Sequence, residues 1–272
     1  MTTVHSVLRR RNWIPFLMVL GFTLSTFHVR AQAPQTVFAR VTFQKVDQAN
    51  AQEFEKMLKE NWKPAHQLRK QNGKITSWRL FKVHFTGTND EYNYVTVSYY
   101  DSWEKTEAND NYAELIKAAH PKGDAAAIMS KTLSLRSTVR QSLYSRVDFA
   151  TGQPPAALKF IEMDFMKVKS GMNAEYVKTE REVWKPIHQA WVNDGKLASW
   201  GLWDLVMPGG TNNTHDYVTA NSHASYKAMA ELNYEETFKK VYPGKDMQAI
   251  FDATGKTRDL VRSEIWEMID SL

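Results

Sequence analysis

The chain has 272 residues, 43% of them hydrophobic, which is enough to bury one large core or two of ordinary size. Its formal net charge is +5, but residues 1–31 hold four arginines and no acidic residue, so the remainder carries only +1. A nearly neutral remainder gives no support to nucleic-acid binding, which requires a basic face on the folded domain. The absence of cysteine excludes disulfides and thiolate metal sites.

The N-terminal segment has the pattern of a secretory signal peptide. Three arginines at 9–11 precede an apolar run over 13–27, and small residues follow up to Ala31. We expect cleavage after Ala31, a mature chain that begins at Gln32, and a periplasmic or secreted location. The alternative is an uncleaved anchor, but a run of 15 residues is shorter than the roughly 20 that span a bilayer. After cleavage, no long apolar or basic amphipathic stretch predicts stable membrane association.

The first half of the remaining chain alternates between a period of two and a period of 3.6 residues, which predicts strands and helices in turn. Asn72 and Gly73 end the first helix, and a polar turn joins the next two strands as a hairpin. In chain order the predicted elements are a strand (37–46), a helix (51–71), two strands (75–85 and 92–100), two helices (103–119 and 124–133) and a strand (137–147).

An internal repeat determines the domain organisation. The segment at 60–80 recurs at 182–202, with 11 of 21 aligned residues identical and a constant offset of 122 residues. This indicates a duplication. We therefore predict a first repeat at 37–147, a linker at 148–157 and a second repeat at 158–268. The linker is short and contains proline, so we expect the repeats to pack closely.

The second repeat is predicted to contain the same elements as the first. Its offset rises to 123 residues at the hairpin, between Tyr94 and Tyr217, and returns to 122 by Pro121 and Pro243, which places both length changes in connections. The predicted elements are strands at 158–168, 196–206, 215–220 and 256–268, with helices at 173–193, 222–240 and 245–254.

This element order predicts an α+β fold in which each antiparallel sheet has helices on one face and needs a partner on the other. Over residues 37–268, the order and the duplication resemble the dimeric α+β barrel superfamily. That superfamily consists of ferredoxin-like domains and includes antibiotic-biosynthesis monooxygenases and chlorite-dismutase-like proteins. The resemblance implies two tandem ferredoxin-like βαββαβ repeats that form an intrachain dimeric α+β barrel by packing their sheets face to face. It also implies sites between sheet and helices, and it carries no catalytic residue over.

Two histidines are the candidate catalytic residues. His66 follows Trp62 by four residues, and His188 follows Trp184 in the same way, so each pair shares one face of a helix. A proline lies between the members of each pair. It lacks an N–H and therefore predicts a kink, or a break after which the helix restarts. Histidine titrates near neutral pH and is the usual acid, base or ligand. The alternative is structural, since a repeated Trp and Pro mostly serve packing and backbone geometry, and a His at a helix end often bonds a carbonyl.

Aromatic residues of the predicted hairpin strands are candidate ligand-binding residues together with the two helical tryptophans. The chain has 9 Trp, 11 Tyr and 13 Phe, enough to form an aromatic pocket for a flat apolar ligand, although each residue can also belong to a core. The candidate ligand-binding residues are Trp62, Trp184, Trp78, Trp200, Tyr94 and Tyr217.

We also expect the two repeats to differ chemically, with at most one working site. Around the first hairpin the sequence has charged and aromatic residues where the second has smaller or different ones. The residues compared are Arg79, His84, Tyr99 and Tyr100 in the first repeat, with Gly201, Leu205 or Val206, Ser222 and His223 in the second.

Three functions remain open from the sequence. One is an exported enzyme that acts on a small apolar or aromatic molecule, a cofactor-independent oxygenase or isomerase with a histidine as general base or hydrogen-bond donor. Another is a periplasmic haem or ligand binder with His66 or His188 as axial ligand. A third is a binding module without chemistry. No phosphate loop, hydrolase motif or metal-ligand spacing is present. The cofactor is unknown, the expected partner is a small molecule, and the oligomeric state stays open.

Overall fold

The computed structural model describes residues 36–107, 110–152 and 158–272; the predicted signal segment lies outside them. Eight strands and the helices between them follow one another in the predicted order. The first four strands are β1 (Phe38–Val46), β2 (Ser77–Val83), β3 (Tyr94–Tyr100) and β4 (Arg136–Thr151). The last four are β5 (Phe160–Val168), β6 (Ser199–Met207), β7 (Tyr217–His223) and β8 (Arg258–Ser271).

The helices of each repeat occupy equivalent places between the strands. Those of the first repeat are α1 (Ala51–Met57), α2 (Lys63–Gln71), α3 (Trp103–Thr106), α4 (Tyr112–Ala119) and α5 (Ala125–Leu135). Those of the second are α6 (Asn173–Thr179), α7 (Lys185–Asn193), α8 (Tyr226–Ala230), α9 (Tyr234–Val241) and α10 (Met247–Thr257).

The eight strands close into one antiparallel barrel in the order β1-β3-β2-β8-β5-β7-β6-β4. Each repeat contributes four neighbouring strands in the ferredoxin-like order, and β2 pairs with β8 and β4 with β6 to join the repeats. The predicted α+β class and the intrachain barrel are therefore confirmed. The repeats meet by hydrogen bonds between sheet edges, not only by the predicted face-to-face packing, because closure pairs the backbone groups of all four edge strands.

Alternating residues of each strand face either the barrel interior or the helices. Val41 and Phe43 of β1, for example, belong to the barrel core, while Phe38 and Val46 belong to the core beneath the helices. The barrel core combines buried residues of both repeats, whereas each helical layer has its own core. The two repeats consequently form one compact unit with three apolar clusters.

Some predicted boundaries were wrong. The strand β4 continues to Thr151, which pairs with Ser199, so residues 148–151 of the predicted linker are strand residues. The strand β8 likewise continues past the predicted end at 268 and pairs Ser271 with Arg79. Both strands are longer than predicted because their ends supply the pairing between the repeats. His223, which was predicted to be helical, ends β7 because it pairs with Phe160.

The predicted break before each proline takes the form of a π-helical turn. Such turns span Leu58–Trp62 and Glu180–Trp184, and an α-helix follows with proline in its first turn. The backbone stays helical through each junction, since the N–H of Lys63 donates to the carbonyl of Leu58 and that of Lys185 to the carbonyl of Glu180. The wider turn accommodates the proline, which has no N–H to donate. One π turn adds a residue to the helix and rotates the residues after it about the helix axis. The histidines are thereby turned towards the sheet, and both are buried.

Candidate functional site

A cavity of about 280 Å³ lies between the helices and the sheet of the first repeat. Three of the predicted site residues, Trp62, His66 and Trp78, line it, and Tyr100 of β3 and Tyr112 of α4 join them. The ring of His66 stacks on that of Trp78 with centroids 4.8 Å apart. The structure therefore brings the first-repeat histidine and both of its predicted tryptophans to one cavity.

The tautomer of His66 follows from its neighbour Arg69. The Nη1 of Arg69 lies 3.1 Å from Nδ1 of His66, and a guanidinium can only donate, so Nδ1 accepts and the ring proton resides on Nε2. Burial, and secondarily the charge of Arg69, lowers the pKa of His66 to about 3. His66 is therefore neutral at neutral pH, and the nitrogen not held by Arg69 is a hydrogen-bond donor.

Arg69 organises this side of the cavity. Its guanidinium is 2.6 Å from a carboxylate oxygen of Asp110, and both side chains are 1% exposed. It also donates to the hydroxyls of Tyr100 and Ser98, each at 3.3 Å. The charge of Arg69 is thus compensated by Asp110, while its Nε has no hydrogen-bond partner in the described part of the chain. Its terminal nitrogens orient His66 and Tyr100.

Two further arginines of the cavity wall are less fully compensated. Arg40 donates to the carbonyl of Thr106 and lies 5.6 Å from the ring centroid of Tyr100. Arg136 donates to the hydroxyl of Thr138, its Nε is buried without a hydrogen-bond partner, and burial lowers the pKa of the guanidinium. Within the described ranges, neither forms an ion pair with a carboxylate. A partly buried cation without a counter-ion is unfavourable, and a bound anion would offset that cost.

The rest of the cavity wall is rich in hydroxyl and amide groups. These groups can donate or accept, which suits a ligand with polar substituents on its ring. The residues concerned are Thr42, Gln44, Thr96, Ser98, Thr132, Thr138 and Gln141.

The second histidine occupies the equivalent place but has different neighbours. The Nδ1 of His188 lies 2.7 Å from the carbonyl oxygen of Trp184, to which it donates, so the lone pair is on Nε2. Its ring stacks on Trp200 at 5.3 Å and meets the edge of Trp191 at 5.3 Å. Burial lowers the pKa of His188 to about 4. The two histidines are both neutral at pH 7, but they carry the ring proton on opposite nitrogens.

Carboxylates predominate in the region around His188, where Arg258 is retained as the counterpart of Arg136. Burial raises the pKa of Glu180 to about 7, and burial together with Glu162 raises that of Asp164 to about 6. Asn221 donates to Glu162 at 3.4 Å and to Asp164 at 3.3 Å. His223 lies fully buried with Nε2 3.7 Å from Glu162. This region has an acidic character where the first repeat has a basic one.

The reversal is visible position by position at the repeat offset. Arg40 corresponds to Glu162, Thr42 to Asp164, Leu58 to Glu180, Arg69 to Trp191 and Asp110 to Leu232. These pairs surround residues that are the same in both repeats. They are Trp62, His66 and Trp78 in the first repeat and Trp184, His188 and Trp200 in the second. Sequence reasoning concentrated on the shared residues and missed Arg40, Arg69 and Arg136. Aligning the two repeats over their full length at the same offset and noting the change of charge could have found the first two.

The remaining predicted residues are not gathered at this cavity. Tyr94 is fully buried and donates to Glu55 at 2.7 Å, and Tyr217 packs on Tyr176 with centroids 5.0 Å apart. They are placed as packing residues. Tyr100 and His223 face the helices, whereas Arg79 and Tyr99 face the barrel interior. Trp184 and Trp200 pack in the core of the second helical layer.

Neither histidine is placed as an axial ligand of haem. The ring of His66 is stacked on Trp78 in a wall with little room, since the whole cavity measures about 280 Å³. His188 is buried against Trp200 and Trp191, and the nearby carboxylate of Glu162 would repel the propionates of a haem. The residues present therefore do not fit the group. In the described part of the chain, no cluster of His, Cys, Asp and Glu is arranged to hold a metal ion, and no helix is long and apolar enough to cross a membrane.

Comparison with known proteins gives relatives in structure alone. No family model matches the sequence, and no curated protein matches it. The chain is similar to a candidate monooxygenase from Fusobacterium nucleatum, with a TM-score of 0.50 and 8% identity over 88% of this chain and 95% of that chain. It is also similar to a variant of chlorite dismutase from Candidatus Nitrospira defluvii, with a TM-score of 0.50 and 8% identity over 85% of this chain and 91% of that chain. The chain therefore has the dimeric α+β barrel fold, with both halves of the barrel in one polypeptide.

Proposed function

We propose that this protein binds a small aromatic acid in the helix–sheet cavity of its first repeat. The observation that carries the proposal is that Arg40 and Arg136 line an aromatic cavity without a carboxylate partner in the described part of the chain. A carboxylate of the ligand would complete the hydrogen bonds of these guanidiniums, and its ring would lie among Trp62, Trp78 and Tyr112.

His66 contributes a hydrogen bond to the ligand and not a base. A pKa of about 3 leaves the ring neutral at pH 7, and Nδ1 is already occupied by Arg69, so Nε2–H is the group that remains for the ligand. A general base works best when its pKa lies near the operating pH. This favours binding over an oxygenase or isomerase that would use His66 to remove a proton.

The proposal is tested by calorimetric titration of the purified protein with 4-hydroxybenzoate and its neutral counterpart 4-hydroxybenzamide. We expect the acid to bind at least about tenfold more tightly, since charge-assisted hydrogen bonds contribute about 1.5–3 kcal/mol. Arg136→Gln should remove most of that difference, and Arg40→Gln should reduce it. Equal binding of acid and amide would overturn the proposal.

A matched pair of variants assigns the cavity. His66→Ala should weaken 4-hydroxybenzoate binding about tenfold, while His188→Ala, at the equivalent position, should leave it unchanged. Circular dichroism and thermal unfolding check that both variants are folded. Equal losses from both variants would place the ligand elsewhere. A stoichiometric Soret band in the purified protein would instead support the haem alternative.

We also propose that the protein is exported, on the pattern of arginines and apolar residues in residues 1–31. A bacterial host that expresses the full chain should release a form that begins at Gln32. Edman sequencing of the periplasmic fraction measures this. Intact Met1 in the membrane fraction would show that the segment is an anchor.

A further inference from the structure

A second cavity, of about 420 Å³, lies inside the barrel, where both repeats line it. Its deep wall is apolar and comes from Val41 and Val97 of the first repeat and Ile161, Met163 and Val218 of the second. These side chains are buried, yet they leave space that neighbouring groups do not fill. Well-packed interiors contain few voids larger than a water molecule, and apolar voids bind apolar ligands.

One end of the barrel is closed by a layer that both repeats build. Arg140 lies 4.2 Å from the ring centroid of Phe43, and Arg262 lies 4.6 Å from that of Phe165 at the equivalent position. Between them, Tyr92 accepts a hydrogen bond from Arg262 at 2.6 Å. The cavity ends above this layer and extends to the opposite end of the barrel, where β2 and β6 begin.

The two repeats carry different residues at that opposite end. Arg79 of β2 corresponds to Gly201 of β6, and Phe81 corresponds to Trp203. A Cβ at position 201 would lie 2.8 Å from Nε1 of Trp203, so glycine is what allows the indole to lie against this wall. The exchange places a cation on one side of the cavity and an indole on the other.

The cation is held in place without a counter-ion of its own. The guanidinium of Arg79 lies 5.1 Å from the ring centroid of Tyr99, and it forms no ion pair with a carboxylate of residues 36–107, 110–152 or 158–272. Arg146 lines the same end of the cavity. The cavity thus has an apolar interior and a cationic rim, the arrangement that suits a molecule with an apolar chain and one anionic head.

We propose that the barrel interior is a binding site for a medium-chain fatty acid, with its carboxylate at Arg79 and Arg146 and its chain among the aliphatic side chains. This site is separate from the helix–sheet cavity, because the sheet of the first repeat lies between them. Burial of each methylene contributes about 0.8 kcal/mol, so affinity should rise with chain length until the cavity is filled.

The test uses decanoate, below its micellar concentration, with decanol as the neutral probe. Calorimetry should show decanoate binding at least about tenfold more tightly than decanol, and Arg79→Gln should remove this preference. The matched control is Arg136→Gln, which alters the other cavity and should leave decanoate binding unchanged. Equal affinities for decanoate and decanol, or an unchanged preference in Arg79→Gln, would overturn the proposal.

Two further measurements locate the chain. Decanoate should change the tryptophan emission of the protein, and Trp203→Phe should reduce that change, because Trp203 lines the cavity together with Trp200 and Trp266. Ala220→Phe, which fills part of the cavity, should weaken binding at least about tenfold in a variant whose circular dichroism is normal. Decanoate that displaces 4-hydroxybenzoate, or binding lost in Arg136→Gln, would place it in the helix–sheet cavity and contradict the inference.

Discussion

The two helix–sheet regions have the same backbone and nearly opposite chemistry. In the first, His66 lies beside Arg69 and a cavity lined by arginines, whereas in the second, His188 lies near Glu162 and against the indole of Trp191. The tryptophans, proline and histidine are shared, and most of the charged residues around them are not. A duplicated domain can therefore keep the geometry of a site while changing its charge.

The buried ion pair of the first repeat gives the largest expected effect. Arg69 and Asp110 correspond to Trp191 and Leu232, so an ion pair in the first repeat takes the place of apolar packing in the second. Arg69→Met leaves the buried carboxylate of Asp110 with only the more exposed Lys74, 3.3 Å away, as its charged partner in the described residues. The variant should therefore lower the free energy of unfolding by about 3 kcal/mol. Urea denaturation measures the change.

The double variant of Arg69→Met with Asp110→Leu imitates the second repeat and should recover most of that loss. A double variant no more stable than the single one would show that the two solutions are not interchangeable. Tryptophan fluorescence and circular dichroism establish that each variant is folded before its stability is compared.

The buried carboxylate Glu180 gives the next effect, and it depends on pH. Its pKa rises from an ordinary value of 4.5 to about 7 in the folded chain, so its contribution to stability is fully present below pH 4.5 and is lost as the pH rises through 7. Between pH 5 and pH 8, the free energy of unfolding of the wild type should therefore fall by about 2 kcal/mol relative to that of Glu180→Gln.

The measurement compares unfolding free energies of variant and wild type at each pH. This matters because buried His66, His188 and His215 have lowered pKa values and act in the opposite direction below pH 6.5. Glu182→Gln, an exposed neighbour, is the matched control and should show no such trend. A Glu180→Gln difference that does not vary with pH would contradict the assignment.

A smaller difference in stability is expected when the hydrogen-bond partners of Trp62 and Trp184 are removed. Trp62 donates to Thr132 at 2.8 Å beside the cavity, and Trp184 donates to Thr254 at 3.2 Å in a packed region. Thr254→Val leaves the indole N–H of Trp184 buried and unpaired and should cost about 1–2 kcal/mol. Thr132→Val should cost less, because the cavity can admit water to replace the hydroxyl. Thermal unfolding of both variants measures this, and a larger loss for Thr132→Val would contradict it.

Much of the fold was predictable because it is local or repeated. Periodicity located the strands, and the constant offset of 122 residues showed that they come in two sets. The lengths of β4 and β8 were not predictable, since their last residues pair with strands of the other repeat, which local pattern does not reveal.

The site was predictable only in part, for a similar reason. His66, Trp62 and Trp78 were identified because they recur, while Arg136 recurs as Arg258 and carries no distinguishing motif. Its importance depends on which carboxylates lie near it in space. The barrel cavity was also beyond sequence reasoning, because its volume results from how both repeats pack across the closed sheet.

The π-helical turns indicate whether their insertion came before or after the duplication of the domain. A π turn is in effect a single-residue insertion that an α-helix has absorbed without breaking. The turns at Leu58–Trp62 and Glu180–Trp184 lie 122 residues apart, each ending one residue before the lysine that precedes proline. Two independent insertions at the same site are a less economical explanation than one inherited insertion. The ancestral single domain therefore already carried the bulge, and the reversal of charge followed the gene duplication.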